Sequence, residues 1–164
     1  MLETRSLHDF NIQLLNGTIF ELKHLKGKVI LLSNVASNCG LQYQFDDYLH
    51  LHSLYLNHNF KIILTPDNSF LNQEPGTACE INNHYQNKEW PFIISQKISV
   101  RGNQQHPLYQ WIDTQTGFMG KVRWNFYKFI FDQDGKLTAW FSSAKSPNSN
   151  SIIKVINMLL GKTI

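Results

Sequence analysis

Lys28-Val29-Ile30-Leu31-Leu32-Ser33-Asn34-Val35-Ala36-Ser37-Asn38-Cys39-Gly40 is the stretch from which the fold can be read. Residues 28–33 form an apolar run without alternation, which fits a strand buried on both faces. After Gly40 the apolar groups fall at Leu41, Phe45, Tyr48, Leu49, His52 and Tyr55, close to helical spacing. A helix is therefore expected from just after Cys39 to about Asn57. Residues 60–64, Phe-Lys-Ile-Ile-Leu, are a second apolar run, ended by Thr65-Pro66-Asp67-Asn68. Strand, helix and strand in that order make a βαβ unit with a right-handed crossover. Cys39 is thus expected at or near a helix N-terminus. Free N–H groups and the helix dipole there favour thiolate over thiol, which makes Cys39 the candidate reactive cysteine.

Working outward, residues 10–15 and 18–22 flank Asn16-Gly17, a strong signal for a tight hairpin turn. Thr77 followed by Glu80 has the form of a capping box and starts a helix over 77–86. Residues 90–94 read as extended. His106-Pro107 opens a short helix over 106–112, with proline tolerated in the first turn. Residues 125–131 and 137–141 flank Asp132-Gln133-Asp134-Gly135 as a second hairpin. Ile152, Val155, Ile156 and Leu159 form the apolar stripe of a last helix over 151–160. The sum is an α/β fold: a mixed β-sheet flanked by helices, with an N-terminal β-hairpin. With 164 residues, no repeats and no long linker, one domain over 1–164 is expected.

Composition excludes several function classes. A hydrophobic fraction of 42% and a charged fraction of 16% fit an ordinary globular chain rather than a disordered one. The net charge of +3 comes from scattered lysines and arginines, so nucleic acid is not an expected partner. No stretch is long and apolar enough for a membrane span. The charged N-terminal stretch lacks the apolar core of a signal peptide, and a cytoplasmic location is expected. The cysteines, Cys39 and Cys79, are expected as free thiols in such a compartment. The histidines show no metal-ligand spacing, and no metal is expected.

The chain resembles the glutathione peroxidase family. The resemblance rests on six segments: Gly27-Lys28-Val29, Asn34-Val35-Ala36-Ser37-Asn38-Cys39-Gly40, Pro66-x-Asn68-x-Phe70, Gln73-Glu74-Pro75-Gly76-Thr77, His106-Pro107-Leu108-Tyr109, and Trp124-Asn125-Phe126-x-Lys128-Phe129. It implies a thioredoxin-like fold and a peroxidase with no metal, haem or flavin. Cys39 matches the position that attacks hydrogen peroxide or an organic hydroperoxide and becomes a sulfenic acid. Glutathione or thioredoxin would then reduce it. Trp124 and Asn125 match hydrogen-bond donors that the family sets around the sulfur. The third donor, a glutamine in Phe-Pro-Cys-Asn-Gln-Phe, is Ser69 here, whose hydroxyl is shorter and carries one proton rather than two. Asp67 stands at the cysteine of that segment, so the candidate resolving thiol is Cys79. Gln73, Asn68 and His106 read as shapers of turns and helix starts. The chain is short for the insertion that larger tetrameric relatives use in assembly, so a monomer is expected. Two other readings remain at this stage: a redox sensor or relay that passes oxidation to a partner protein, and a thioredoxin-like binding domain with weakened catalysis.

Overall fold

The computed structural model describes residues 4–162, so the first three residues of the charged N-terminal stretch fall outside it. Gly17, at φ 87°, turns the chain between β1 (Asn11–Gln13) and β2 (Ile19–Glu21), a positive φ that glycine adopts without steric cost. The hairpin is shorter than its sequence pattern. The long apolar run becomes β3 (Val29–Val35), buried along its whole length. The chain continues through α1 (Gln44–Leu54) and β4 (Phe60–Pro66), which pairs with β3 in parallel and completes the βαβ unit. Next come α2 (Ala78–Gln86), β5 (Ile93–Ile94) and α3 (Pro107–Gly120). The antiparallel pair β6 (Lys128–Phe131) and β7 (Leu137–Phe141) precedes α4 (Asn150–Leu159). The sheet order is β5-β4-β3-β6-β7, with β3 at the centre.

The absence of alternation in β3 has a physical cause. Val29, Leu31 and Val35 face a core shared with Tyr48 and Leu51 of α1 and Ile152 and Ile156 of α4. Ile30 and Leu32 face a second core with Leu108 and Ile112 of α3 and Ile12 of the hairpin. Both faces are covered, so most positions are apolar, and the buried Ser33 and Asn34 are satisfied by hydrogen bonds.

Two expectations about helices need correction. α1 begins at Gln44, not next to Cys39. Residues 39–43 instead make tight turns, with the N–H groups of Gln42 and Gln44 donating to the carbonyls of Cys39 and Leu41. Gly40 is a poor helix former, and Tyr43 at the N-cap supplies no capping side chain, so the helix has no reason to start earlier. α1 also stops at Leu54, ahead of Asn57 and Asn59, which favour turns. α3 is longer than 106–112: it runs to Gly120 across a break at Gly117, where φ is 61° and ψ −162°. The capping box at Thr77 and Glu80 forms as read, with both reciprocal bonds in place.

Candidate active site

Cys39 lies in the turn that follows the carboxyl end of β3 and is 2% exposed. The helix dipole does not meet its sulfur directly, because regular helix starts downstream. A single local donor replaces it: the Leu41 N–H points at Cys39 Sγ at 3.5 Å. That is the one hydrogen bond to Sγ among the described residues.

Trp124 and Asn125 reach this end of the sheet through Asn34, a buried residue of β3. The Asn34 side-chain amide donates to the Trp124 carbonyl at 3.1 Å, and its Oδ1 accepts the Tyr127 N–H at 3.1 Å. The Asn34 carbonyl accepts the Phe126 N–H at 2.6 Å. These bonds fix the 124–127 turn onto the strand that delivers Cys39. Phe126 holds φ 66° in that turn, a left-handed conformation that costs a bulky residue about 1–3 kcal/mol. Its ring is fully buried and meets Phe45 edge-on at 5.2 Å, which offsets the strain. The Trp124 ring lies against Phe70 at 5.7 Å.

Among the described residues Ser69 makes no hydrogen bond to Cys39, Trp124 or Asn125. Its hydroxyl donates to Asp67 Oδ1 at 2.5 Å, and its N–H donates to the same oxygen at 3.1 Å. Asp67 is buried, and burial pushes its carboxyl above the usual carboxylate range against the pull of these bonds. Cys79 is exposed on α2, and the Asn83 amide approaches its sulfur at 3.7 Å. No disulfide joins it to Cys39.

Two residues carry more of the site than their turn motif suggests. The Gln73 carbonyl accepts the Asn38 N–H at 3.0 Å, and Gln73 Oε1 accepts Asn125 Nδ2 at 2.8 Å. Glu74 is buried, and its carboxylate accepts the Ser37 N–H at 2.8 Å, the Ser37 hydroxyl at 2.6 Å and the Tyr85 hydroxyl at 2.7 Å. Asn68 Oδ1 in turn accepts the Glu74 N–H at 2.8 Å. The Gln73-Glu74 pair therefore ties the cysteine turn, the 124–127 turn and α2 together. The sequence signal for it was two polar residues ahead of Pro75-Gly76, which also fits an ordinary turn.

The arrangement holds one buried thiol against the Leu41 N–H, and fixes the 124–127 turn, with its Asn125 carboxamide bonded to Gln73, onto the same strand end. Among the described residues no group of three or more His, Cys, Asp or Glu side chains could hold a metal ion. No described helix is long and apolar enough to cross a membrane.

Residues 7–113 match the family model described as glutathione peroxidase. The chain is 37% identical to a glutathione peroxidase homolog, BsaA, of Halalkalibacterium halodurans over 87% of this chain and 92% of the relative. It is also 37% identical to the glutathione peroxidase-like peroxiredoxin 2 of Saccharomyces cerevisiae, over 97% of this chain and 99% of that one. Among solved structures, T. cruzi GPX1 superposes with a TM-score of 0.76 at 27% identity, covering 96% of this chain and 98% of its own. A thioredoxin family protein from Chlorobium tepidum superposes with a TM-score of 0.69 at 14% identity, a likeness of fold alone.

Proposed function

The chain belongs to the glutathione peroxidase family and is a thiol-dependent peroxidase with a thioredoxin-like fold, and on that premise we propose that Cys39 is its peroxide-reducing residue. The Cys39 thiolate attacks one oxygen of a hydroperoxide. The S–O bond forms as the O–O bond breaks, leaving Cys39 sulfenic acid and an alkoxide or hydroxide that takes a proton. One thiol then condenses with the sulfenic acid, releasing water and forming a mixed disulfide. A second thiol attacks that disulfide and restores Cys39. The sum converts two thiols and one hydroperoxide into one disulfide, one alcohol or water, and one further water.

The observation that carries this reading is the fixing of the 124–127 turn and the Cys39 turn onto one strand end, by Asn34 on one side and Gln73 on the other. Donors so fixed favour the charge that develops on the sulfur and the departing oxygen. Asn125, the Leu41 N–H and the Trp124 indole N–H are the donors of this reading. Ser69 acts on Asp67 instead. The co-substrate is glutathione or thioredoxin, with no prosthetic group. The active form is a cytoplasmic monomer built as one domain.

The test is peroxide consumption by the purified chain with glutathione, and then with thioredoxin and its reductase. Cys39→Ser abolishes turnover with both. A Cys79→Ser variant that loses thioredoxin-driven turnover alone makes Cys79 the resolving thiol. Turnover that survives Cys39→Ser refutes the assignment.

A further inference from the structure

A cavity of about 340 Å³ opens where the β1–β2 hairpin meets β5, the edge strand of the sheet. Leu14 bridges to Ser95, and the Gln96 N–H donates to the Gln13 carbonyl at 2.7 Å, which fastens the hairpin to the sheet edge. Asn82 Nδ2 donates to the Leu15 carbonyl at 2.7 Å, which fastens the hairpin to α2. Phe20, Trp90, Phe92 and the buried Tyr85 line the groove between these ties.

Glu89 is the charged residue of this lining. It holds φ 51° just past the end of α2, a left-handed state in which glycine is the ordinary choice. A carboxylate there also meets the negative end of the helix dipole. Local structure thus disfavours a glutamate at this position twice over, while the groove gives it a use. An acid beside several aromatic rings is the chemistry that recognises an organic ammonium: the ring faces attract the cation and the carboxylate matches its charge. Trp90 already accepts one cation, with Lys88 Nζ 5.9 Å from its ring centroid. A cavity of this volume suits a small molecule.

The groove is also wired to the cysteine turn. The Tyr85 hydroxyl donates to the Glu74 carboxylate, which in turn holds the N–H and hydroxyl of Ser37, close to Cys39 in the chain.

We propose that this groove is an effector site for a small, free organic ammonium with an apolar body, and that its occupancy slows the opening of the Cys39 turn through Tyr85 and Glu74. The ammonium site stands independently of the Cys39 assignment above; the consequence for reduction by thiols rests on it.

The test uses the full chain in a Cys79→Ser background, titrated with hexyltrimethylammonium, 1-hexanol and hexyl sulfate. Binding is read from the Trp90 indole N–H resonance. The ammonium should bind about 3- to 30-fold tighter than hexanol, and the sulfate weakest of the three. Glu89→Gln and Glu89→Gly should each weaken the ammonium about 3- to 10-fold and leave hexanol within about twofold. Glu89→Gly also relieves the strained backbone, so a folding defect is not the cause of its loss. At about ten times its dissociation constant the ammonium should slow maleimide labelling of Cys39 about three- to tenfold, as a ligand of the closed form does. Tyr85→Phe keeps the ring but not the bond to Glu74; it should bind within about twofold of the parent and show no slowing.

No saturable shift, an ammonium no tighter than hexanol, or Glu89 variants that bind like the parent would overturn the site. Unchanged Cys39 labelling, or slowing that persists in Tyr85→Phe, would overturn the link to the cysteine turn. Phosphatidylcholine vesicles present the same head group on a surface, and a resonance shift by them at matched head-group concentration would overturn the free-molecule form. A parent protein that binds the ammonium but forms no Cys39 sulfenic acid with hydrogen peroxide would refute the Cys39 assignment and leave the site standing.

Discussion

Lys128 carries its ammonium into the interior, where Gln44 Oε1 accepts from it at 2.5 Å and the Ser143 carbonyl at 3.4 Å. Burial pushes its pKa down from 10.5 to about 7, and the Asp47 carboxylate only partly opposes this. The unfolded chain therefore binds more protons than the folded one between about pH 7 and pH 10.5, so stability rises with pH across that window. The cost of burying the charged form is fully present below pH 7 and disappears above pH 10.5. His8, His52 and His106 have lowered pKa values and act below their ordinary 6.5, while the buried tyrosines act above 10. The interval from pH 7 to 9 is then chiefly Lys128's. Urea unfolding at pH 7, 8 and 9 should show a stability that climbs in the wild type and stays flat in Lys128→Met. Parallel slopes in the two proteins would show that the ammonium is not the source. Nothing in the sequence marks this lysine as buried. Its place in Phe126-x-Lys128-Phe129 was legible as motif, but its partners sit far along the chain.

Elements were legible where local pattern and tertiary demand agree. The apolar runs of β3 and β4, the Asn16-Gly17 turn and the Thr77 capping box are short-range signals, and each marks a strand, turn or helix start in the fold, with strand ends that differ by a few residues. The start of α1 was misread because apolar spacing continues through residues that tight turns occupy. The site was legible in its residue types but not in its wiring. Glu74 meets Ser37, Gln73 meets Asn125, and Asn34 meets Trp124 across long sequence separations that no periodicity reports. α3 is the clearest misreading by length, read as a short helix over 106–112 where the structure runs from Pro107 to Gly120. The span reaches Gly120 only across a kink at Gly117, which takes a non-helical conformation that is essentially restricted to glycine. A Cβ there would meet no atom within 4 Å, so a substitution probes backbone strain alone. Gly117→Ala should cost about 1–3 kcal/mol in denaturant unfolding, with peroxidase activity at 25 °C unchanged. An unchanged unfolding midpoint would mean that the break relaxes without the glycine.

At the scale of the molecule, two cores lie on opposite faces of one sheet, and the Cys39 side chain belongs to the one shared with α1 and α4. This sets an access problem. A hydroperoxide of a few atoms needs little room, but the thiol that reduces the sulfenic acid must bring its own sulfur to a residue that is 2% exposed. The turn that carries Cys39 is tied down by hydrogen bonds, Glu74 to Ser37 and Tyr85 and Gln73 to Asn38, while the side chain itself packs in the apolar core. Local opening at such a place costs less than global unfolding. A bulky maleimide added to the native protein should therefore label exposed Cys79 at once and Cys39 at least about tenfold more slowly, by way of local opening. Tyr85→Phe removes the bond from α2 to Glu74 and leaves the two Ser37 bonds, so it should speed Cys39 labelling while Cys79 labelling stays the same. The hydrogen peroxide oxidation rate should change far less than the labelling rate, because the smaller reactant does not wait for the cover. Equal labelling of the two cysteines in the wild type would place Cys39 at an open surface. A Tyr85→Phe protein labelled at the wild-type rate would locate the barrier elsewhere than at the Glu74 bonds.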